Sequence, residues 1–188
     1  MRVLIACVLA ACGSSSPPPV TPANAVPATP PAEVAADAPE DCASSIEDAK
    51  PGNHDRYAFE TNDGSWGYRD SKGAIAIPPR LRFAYEFKPT GIAAAVDHDG
   101  TFVFIDTSGA VIARAYAFDN GPDYFQEGHA RIVDARGKIG FIDENGRITI
   151  APRFDEAASF CHGIAAVSKG GTRFNIDKRG APTSAPAP

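Results

Sequence analysis

A four-residue turn signature recurs through this chain at a nearly fixed interval, and that periodicity constrains the fold more than any other feature. Asp-x-x-Gly occurs at Asp70–Gly73, Asp106–Gly109, Asp143–Gly146 and Asp177–Gly180, with the aspartates 36, 37 and 34 residues apart. A second turn precedes each at a constant offset, at Thr61–Gly64, Asp97–Gly100, Asp134–Gly137 and Ser168–Gly171. Self-similarity at such a period is the signature of a repeat architecture, in which each unit buries its face against its neighbours.

The segments between the turns set the local structure. Apolar side chains alternate at Trp66 and Tyr68, Phe102 and Phe104, and Ile139 and Phe141. The same alternation follows each Asp-x-x-Gly, at Ile75 and Ile77, Val111 and Ala113, and Ile148 and Ile150. A period of two predicts strands with one buried face. Tyr57–Glu60, Ile92–Val96, Ala130–Val133 and Ile164–Val167 read as the strands that open each unit. Each unit is then a three-stranded meander. Asp starts its turn by accepting a backbone hydrogen bond, and Gly ends it in the left-handed conformation that a bulged hairpin loop requires. A longer connection follows the third strand. Phe87, Phe125 and Phe160 stand shortly before its glycine and are expected to anchor the core. No stretch is long and periodic enough for a substantial helix.

Trp66-Gly67-Tyr68-Arg69-Asp70-Ser71-Lys72-Gly73 followed by Ile77-Pro78-Pro79-Arg80 resembles the WG repeat family. Ile139-Gly140-Phe141-Ile142-Asp143 through Gly146, followed by Ile150-Ala151-Pro152-Arg153-Phe154, is similar to it as well. Unit two departs, with Phe102-Val103 for Trp-Gly and Arg114-Ala115 for the prolines. Unit four has Arg173 at the Trp position and stops after its second turn. The resemblance implies an all-β fold: tandem short three-stranded meanders in an open, twisted array, with no shared catalytic machinery. Gly67 and Gly140 lie inside strands, where glycine marks close approach of another backbone or ring. Two readings stand: a neighbouring unit's aromatic packs on that bare face, or the strand carries a local bulge.

The chain outside the repeats has a different chemistry. Met1-Arg2, the apolar run Val3–Ala10 and small residues precede Cys12, which is the logic of an export signal. The run is too short to span a bilayer, which takes about 20 apolar residues. Leu9-Ala10-Ala11-Cys12 resembles the lipobox of bacterial lipoproteins. That resemblance implies cleavage before Cys12 and lipidation of its thiol; an ordinary signal peptide is the alternative. Each buried CH₂ of such a lipid adds about 0.8 kcal/mol of membrane affinity. Gly13 and Ser14 carry no acidic retention signal, which favours the outer membrane. Residues 13–41 are rich in Pro and Ala with no aromatic residue, and cannot bury enough surface to offset their ordering entropy. The expected organisation is a signal at 1–11, a lipidated, disordered linker at 12–52, the repeat domain at 53–180 and a disordered tail at 181–188.

Among candidate chemical groups, cysteine arithmetic is the most informative. Export leaves Cys42 and Cys161 in an oxidising compartment, where a pair of thiols usually forms a disulfide. Such a long loop contributes about 4 kcal/mol in the chain-entropy account; two unpaired thiols are the alternative. The four histidines show no metal-ligand spacing, Asp97-His98-Asp99-Gly100 reads as a turn rather than a calcium loop, and neither a phosphate-cradling loop nor a nucleophile elbow is present. No cofactor is expected. With 18 Lys and Arg against 23 Asp and Glu, a net charge of −5 and no basic cluster, nucleic acid is not an expected partner. The expectation is a non-enzymatic, membrane-anchored binding or scaffold module of the cell envelope, with a protein or envelope-polymer partner. Its candidate surface is Arg80, Arg82, Tyr85, Arg153 and Phe154. Binding of cell-wall glycan and hydrolysis of an envelope polymer are the rivals.

Overall fold

The computed structural model describes residues 54–184, and every regular element among them is a β-strand. Unit one comprises β1 (Tyr57–Glu60), β2 (Trp66–Arg69) and β3 (Ile75–Leu81), with β4 (Phe83–Ala84) in its connection. Unit two comprises β5 (Ile92–Val96), β6 (Phe102–Asp106) and β7 (Val111–Ala115), and its connection holds β8 (Ala117–Phe118) and β9 (Gly121–Pro122). Unit three comprises β10 (His129–Val133), β11 (Ile139–Asp143) and β12 (Ile148–Phe154), with β13 (Glu156–Ala157) in its connection. Unit four comprises β14 (Ile164–Lys169), β15 (Thr172–Asp177) and β16 (Pro182–Thr183). Every pairing is antiparallel, and the sheets are open: β1-β2-β3, β12-β11-β10-β7-β6-β5-β4, β13-β14-β15-β16, and the β8-β9 ribbon.

The Asp-x-x-Gly turns are built alike in all four units. The glycine N–H donates to the aspartate carbonyl at 2.8–3.0 Å. The Asp side chain accepts two further backbone N–H bonds, as Asp143 does from Asn145 and Arg147 at 3.0 and 2.9 Å. The aspartates are occupied in making hairpins. The first turn of unit four differs from the sequence reading. β14 and β15 stay paired through Lys169 and Thr172, so the loop is only Gly170-Gly171, with both φ values positive at 57° and 79°. Two adjacent left-handed residues form the tight turn whose twist matches the flanking strands. Unit four also continues past Gly180: Pro182 pairs with Ile176 and Thr183 with Asn175, so residues 181–184 belong to the fold rather than to the expected tail. Residues 1–53 and 185–188, including the signal, the linker, Cys12 and Cys42, lie outside the described residues.

Three cores alternate along the array. The first joins units one and two around Tyr68, Ile77, Leu81, Phe87, Val103 and Ile105. The second joins units three and four around Phe141, Ile150, Phe154, Phe160 and Ile176. Between them, Ile92, Phe104, Ile132 and Ile142 form the third. The strand β6 therefore sends Val103 and Ile105 to one core and Phe104 to another. Middle units are covered on both faces, and a strand expected to bury one face buries two. The connection aromatics serve as anchors: Phe87 meets Tyr68 at 4.9 Å, Phe125 meets Phe104 at 5.3 Å and Phe160 meets Phe141 at 4.7 Å between ring centroids.

The in-strand glycines resolve to the bulge. In unit one, Tyr68 faces Ile77 and Trp66 faces Leu81, so β3 carries two extra residues opposite Gly67. Unit three repeats this, with Phe141 facing Ile150 and Ile139 facing Phe154. A Cβ on Gly67 would lie 2.6 Å from the Ile77 carbonyl oxygen and 2.8 Å from the Pro79 nitrogen. On Gly140 it would lie 2.4 Å from the Ile150 oxygen and 2.6 Å from the Pro152 nitrogen. The close approach comes from the unit's own third strand, not from a neighbour's aromatic ring.

Successive units also interlock through their second turns. The space beside the turn glycine of one unit is filled by an isoleucine of the unit before it: Ile77 against Gly109, Ile112 against Gly146 and Ile150 against Gly180. In unit four the position matching Ile77 and Ile150 is Ser184.

Candidate functional site

The connections between units place the exposed aromatic residues. After β4, the segment Tyr85–Lys88 runs along one side of a cleft of about 230 Å³, and Gly121–Phe125 runs along the other. The floor is Ile92 and Ala94 from β5 with Phe104 from β6. The far wall is held out by the β8–β9 ribbon, whose turn residues Asp119 and Asn120 are both left-handed, with φ of 45° and 62°.

Each wall is tied down by polar contacts. The Tyr68 hydroxyl donates to the Tyr85 carbonyl at 2.6 Å. Burial, with the Glu86 carboxylate nearby, pushes the Tyr68 phenol well above its ordinary range and keeps that proton in place. On the other wall, Asp123 and Arg131 are buried together. The guanidinium donates through Nε at 3.0 Å and Nη2 at 2.7 Å, and the Arg131 backbone N–H adds a third bond at 2.7 Å. Arg131 also reaches the Ala157 carbonyl at 3.1 Å and lies over the Tyr116 ring at 4.4 Å. A buried pair satisfied in this way is a fixed post rather than a reactive group. Lys88 spans the cleft's end, 4.7 Å over the Phe125 ring and 3.3 Å from Glu144 of unit three.

Aromatic rings continue outward from both walls. Tyr85 is edge-on to Phe83 at 4.9 Å, and Phe83 tilts on Trp66 at 4.9 Å. Tyr124 is edge-on to Phe118 at 6.2 Å. Phe83, Tyr85, Phe118 and Tyr124 are each 36–44% exposed. Rings of this size are normally buried, and here four of them stand partly in water on the two sides of the cleft.

The surface expected from the sequence is split by the fold. Tyr85 lies at the cleft. Phe154 is 1% exposed, in the core between units three and four, and is no binding residue. Arg80 and Arg153 are struts between units: Arg80 donates to the Gly109 carbonyl at 2.5 Å and Arg153 to the Gly180 carbonyl at 2.8 Å. Arg82 is exposed beside Gly100, away from the other arginines' partners. Cys161 is buried in a bridge with Ile164. Asp155 and Glu156 hold separate partners. Asp155 holds Lys138 and the Gly170 N–H, and Glu156 holds Arg173. The Lys138 ammonium, then the Gly170 N–H, lower the Asp155 carboxyl below its usual range. Asp97 and Asp99 accept turn N–H bonds from His98 and Thr101 at 2.8 Å, as turn chemistry predicts. Among the described residues, no group of three or more His, Cys, Asp or Glu is placed to hold a metal ion.

Sequence reasoning missed Phe83, Phe118 and Tyr124, and it missed the Asp123–Arg131 pair. One signal was present: Arg131 occupies the strand position held by Ala94 and Ala166 in the neighbouring units.

No curated protein matches the chain. Among solved structures, the computationally designed Ika8 protein matches at 14% identity with a TM-score of 0.29, over 68% of this chain and 45% of the designed one. The chain therefore spans less than half of that protein's length. The family described as WG containing repeat matches at residues 66–102 and 139–172, the two segments that carry the in-strand glycine and the bulged third strand. The chain is a WG repeat-containing protein.

Proposed function

We propose that this protein is an exported, lipid-anchored binding module that presents the aromatic cleft to a protein or polymer of the cell envelope, without catalysing a reaction. The observation that carries the reading is the cluster of Phe83, Tyr85, Phe118 and Tyr124 left in water around an apolar cleft. Of the ionisable groups at the cleft, Asp123 is committed to Arg131 and Lys88 to Glu144, and Glu86 remains at the mouth. Anchoring rests on the lipobox-like Leu9-Ala10-Ala11-Cys12, with residues 13–41 as the spacer. A Cys42–Cys161 bridge fits this setting and would clamp the entry segment to unit three.

Detergent phase partition of cells making the full chain tests the anchor. The wild type is expected in the detergent phase and Cys12→Ala in the aqueous phase; equal partition removes the lipid from the proposal. Crosslinking in the intact envelope tests the cleft, with a partner adduct expected for the wild type and lost in Tyr124→Ala. Turnover of an envelope polymer that one carboxylate substitution abolishes would overturn the non-enzymatic reading.

A further inference from the structure

We propose that the cleft takes a neutral N-acetylated sugar, one ring seated against Tyr85 and Tyr124 with the acetyl methyl on the floor of Ile92, Ala94 and Phe104. The inference rests on the binding-module reading above and names a ligand class for it. Size comes first. About 230 Å³ is below the roughly 300–1,000 Å³ of a drug-sized pocket and suits a single ring with one substituent. Chemistry comes second. Ile92 and Phe104 are 2% and 1% exposed, so the floor is apolar, whereas the mouth carries two tyrosine rings and the Glu86 carboxylate. A pyranose matches that gradient. Its C–H face lies flat on an aromatic ring, its hydroxyl and amide N–H groups donate to a carboxylate, and its acetyl methyl is the only strongly apolar group it has to bury.

Charge decides between polymers. Arg131 neutralises Asp123, and Glu144 faces Lys88. Glu86 makes no ion pair among the described residues and adds a negative charge at the cleft. Negative potential against a low-dielectric wall repels phosphorylated chains and other polyanions and admits a neutral glycan.

The test is titration of the full chain, followed by Trp66 fluorescence or calorimetry. It uses the β-1,4-linked tetramer of N-acetylglucosamine against the glucose tetramer of the same linkage, which lacks only the acetamido groups. Saturable binding of the acetylated tetramer is expected. Binding of the glucose tetramer should be at least tenfold weaker, and Tyr124→Ala should lose at least tenfold. Tyr124 is 43% exposed, so the variant should keep the wild-type thermal midpoint, and that is measured alongside. Equal binding of both tetramers, full binding by Tyr124→Ala, or no binding of the acetylated tetramer by the folded wild type overturns the proposal. Envelope crosslinking separates the two levels. If no sugar binds but the partner adduct still depends on Tyr124, only the ligand class is wrong; if the adduct is also independent of Tyr124, the cleft reading falls with it.

Discussion

Units one and three leave their third strand by one device, and unit two by another. Where glycine stands in the second strand, at Gly67 and Gly140, the third strand arches over it with two extra residues and proline, pairs once more at Leu81 or Phe154, and then leaves the sheet. Its continuation, β4 or β13, pairs with the next unit instead. Unit two has Val103 at the glycine position, and the side chain leaves no room for the arch. There Val103 pairs with Arg114 in unbroken register with Phe104 and Ala113. The regular strand β7 stays free to pair with β10, through Ala115 to Ile132 and Arg114 to Val133. Glycine in the second strand with proline in the third thus goes with a corner between two units, and Val103 without the proline goes with fusion into one seven-stranded sheet. The fused junction has no arch to turn the chain, and it uses the β8–β9 ribbon and the Asp123–Arg131 pair instead. That ribbon forms one wall of the cleft, so the irregular unit makes the site.

The comparison is most open to attack at the ion pair. Asp123→Ala leaves a buried guanidinium with no counter-charge, which costs about 3–5 kcal/mol. Chemical denaturation should show that loss, and a double variant that also replaces Arg131 with Met should recover much of it. Full stability in the single variant would mean that the pair does not hold the fused junction. Next in size is the corner. Gly140→Ala forces backbone atoms now 2.4–2.9 Å from the new methyl to move, at about 1–3 kcal/mol by analogy with overpacked cores. Gly67→Ala should match it, since the two corners share one geometry. A thermal midpoint unchanged in either variant would refute the arch as the reason for glycine.

Acid should have the smallest effect. Asp155 is held low by the Lys138 side chain and the Gly170 N–H, and Asp134 by the Lys138 N–H. A carboxyl whose folded pKa is lowered adds stability above its unfolded value, about 3.9, and loses it as pH falls through the folded value. Stability is therefore expected to be level from neutral pH down to about 4 and to decline below it. Asp155→Asn should flatten that decline, as read by the thermal midpoint at successive pH values.

The strands and turns were legible because they depend on local chemistry. Asp143 and Gly146 make their hairpin from residues within four positions of each other, and the alternation of Ile139 with Phe141 marks one buried face of β11, though not the second one that carries Ile142. The in-strand glycines were legible as a close approach, but which group approached depended on the third strand's register, set by prolines eleven or more residues away. The candidate surface failed for a related reason. Arg80 and Arg153 bond turn glycines 29 and 27 residues ahead, and Phe154 is sealed by unit four. No local pattern carries those distances. Tyr124 and Phe118 sat in the unit that departs from the repeat pattern, where matching units to one another gives the least guidance.

The isoleucine seated against each following turn glycine has a consequence for how such arrays grow. Ile77, Ile112 and Ile150 act as sockets, each prepared by one unit for the next. Unit four offers Ser184 at the position of Ile77 and Ile150 and Thr183 at that of Ile112, so it can receive a predecessor but prepares no apolar seat for a successor. Extending the array by copying a unit after residue 184 would leave the new glycine turn on a polar, undersized residue. Duplication inside the array, between Ile77 and Gly109 for instance, would find every socket already filled with the right shape. The repeat can lengthen from within far more readily than from this end.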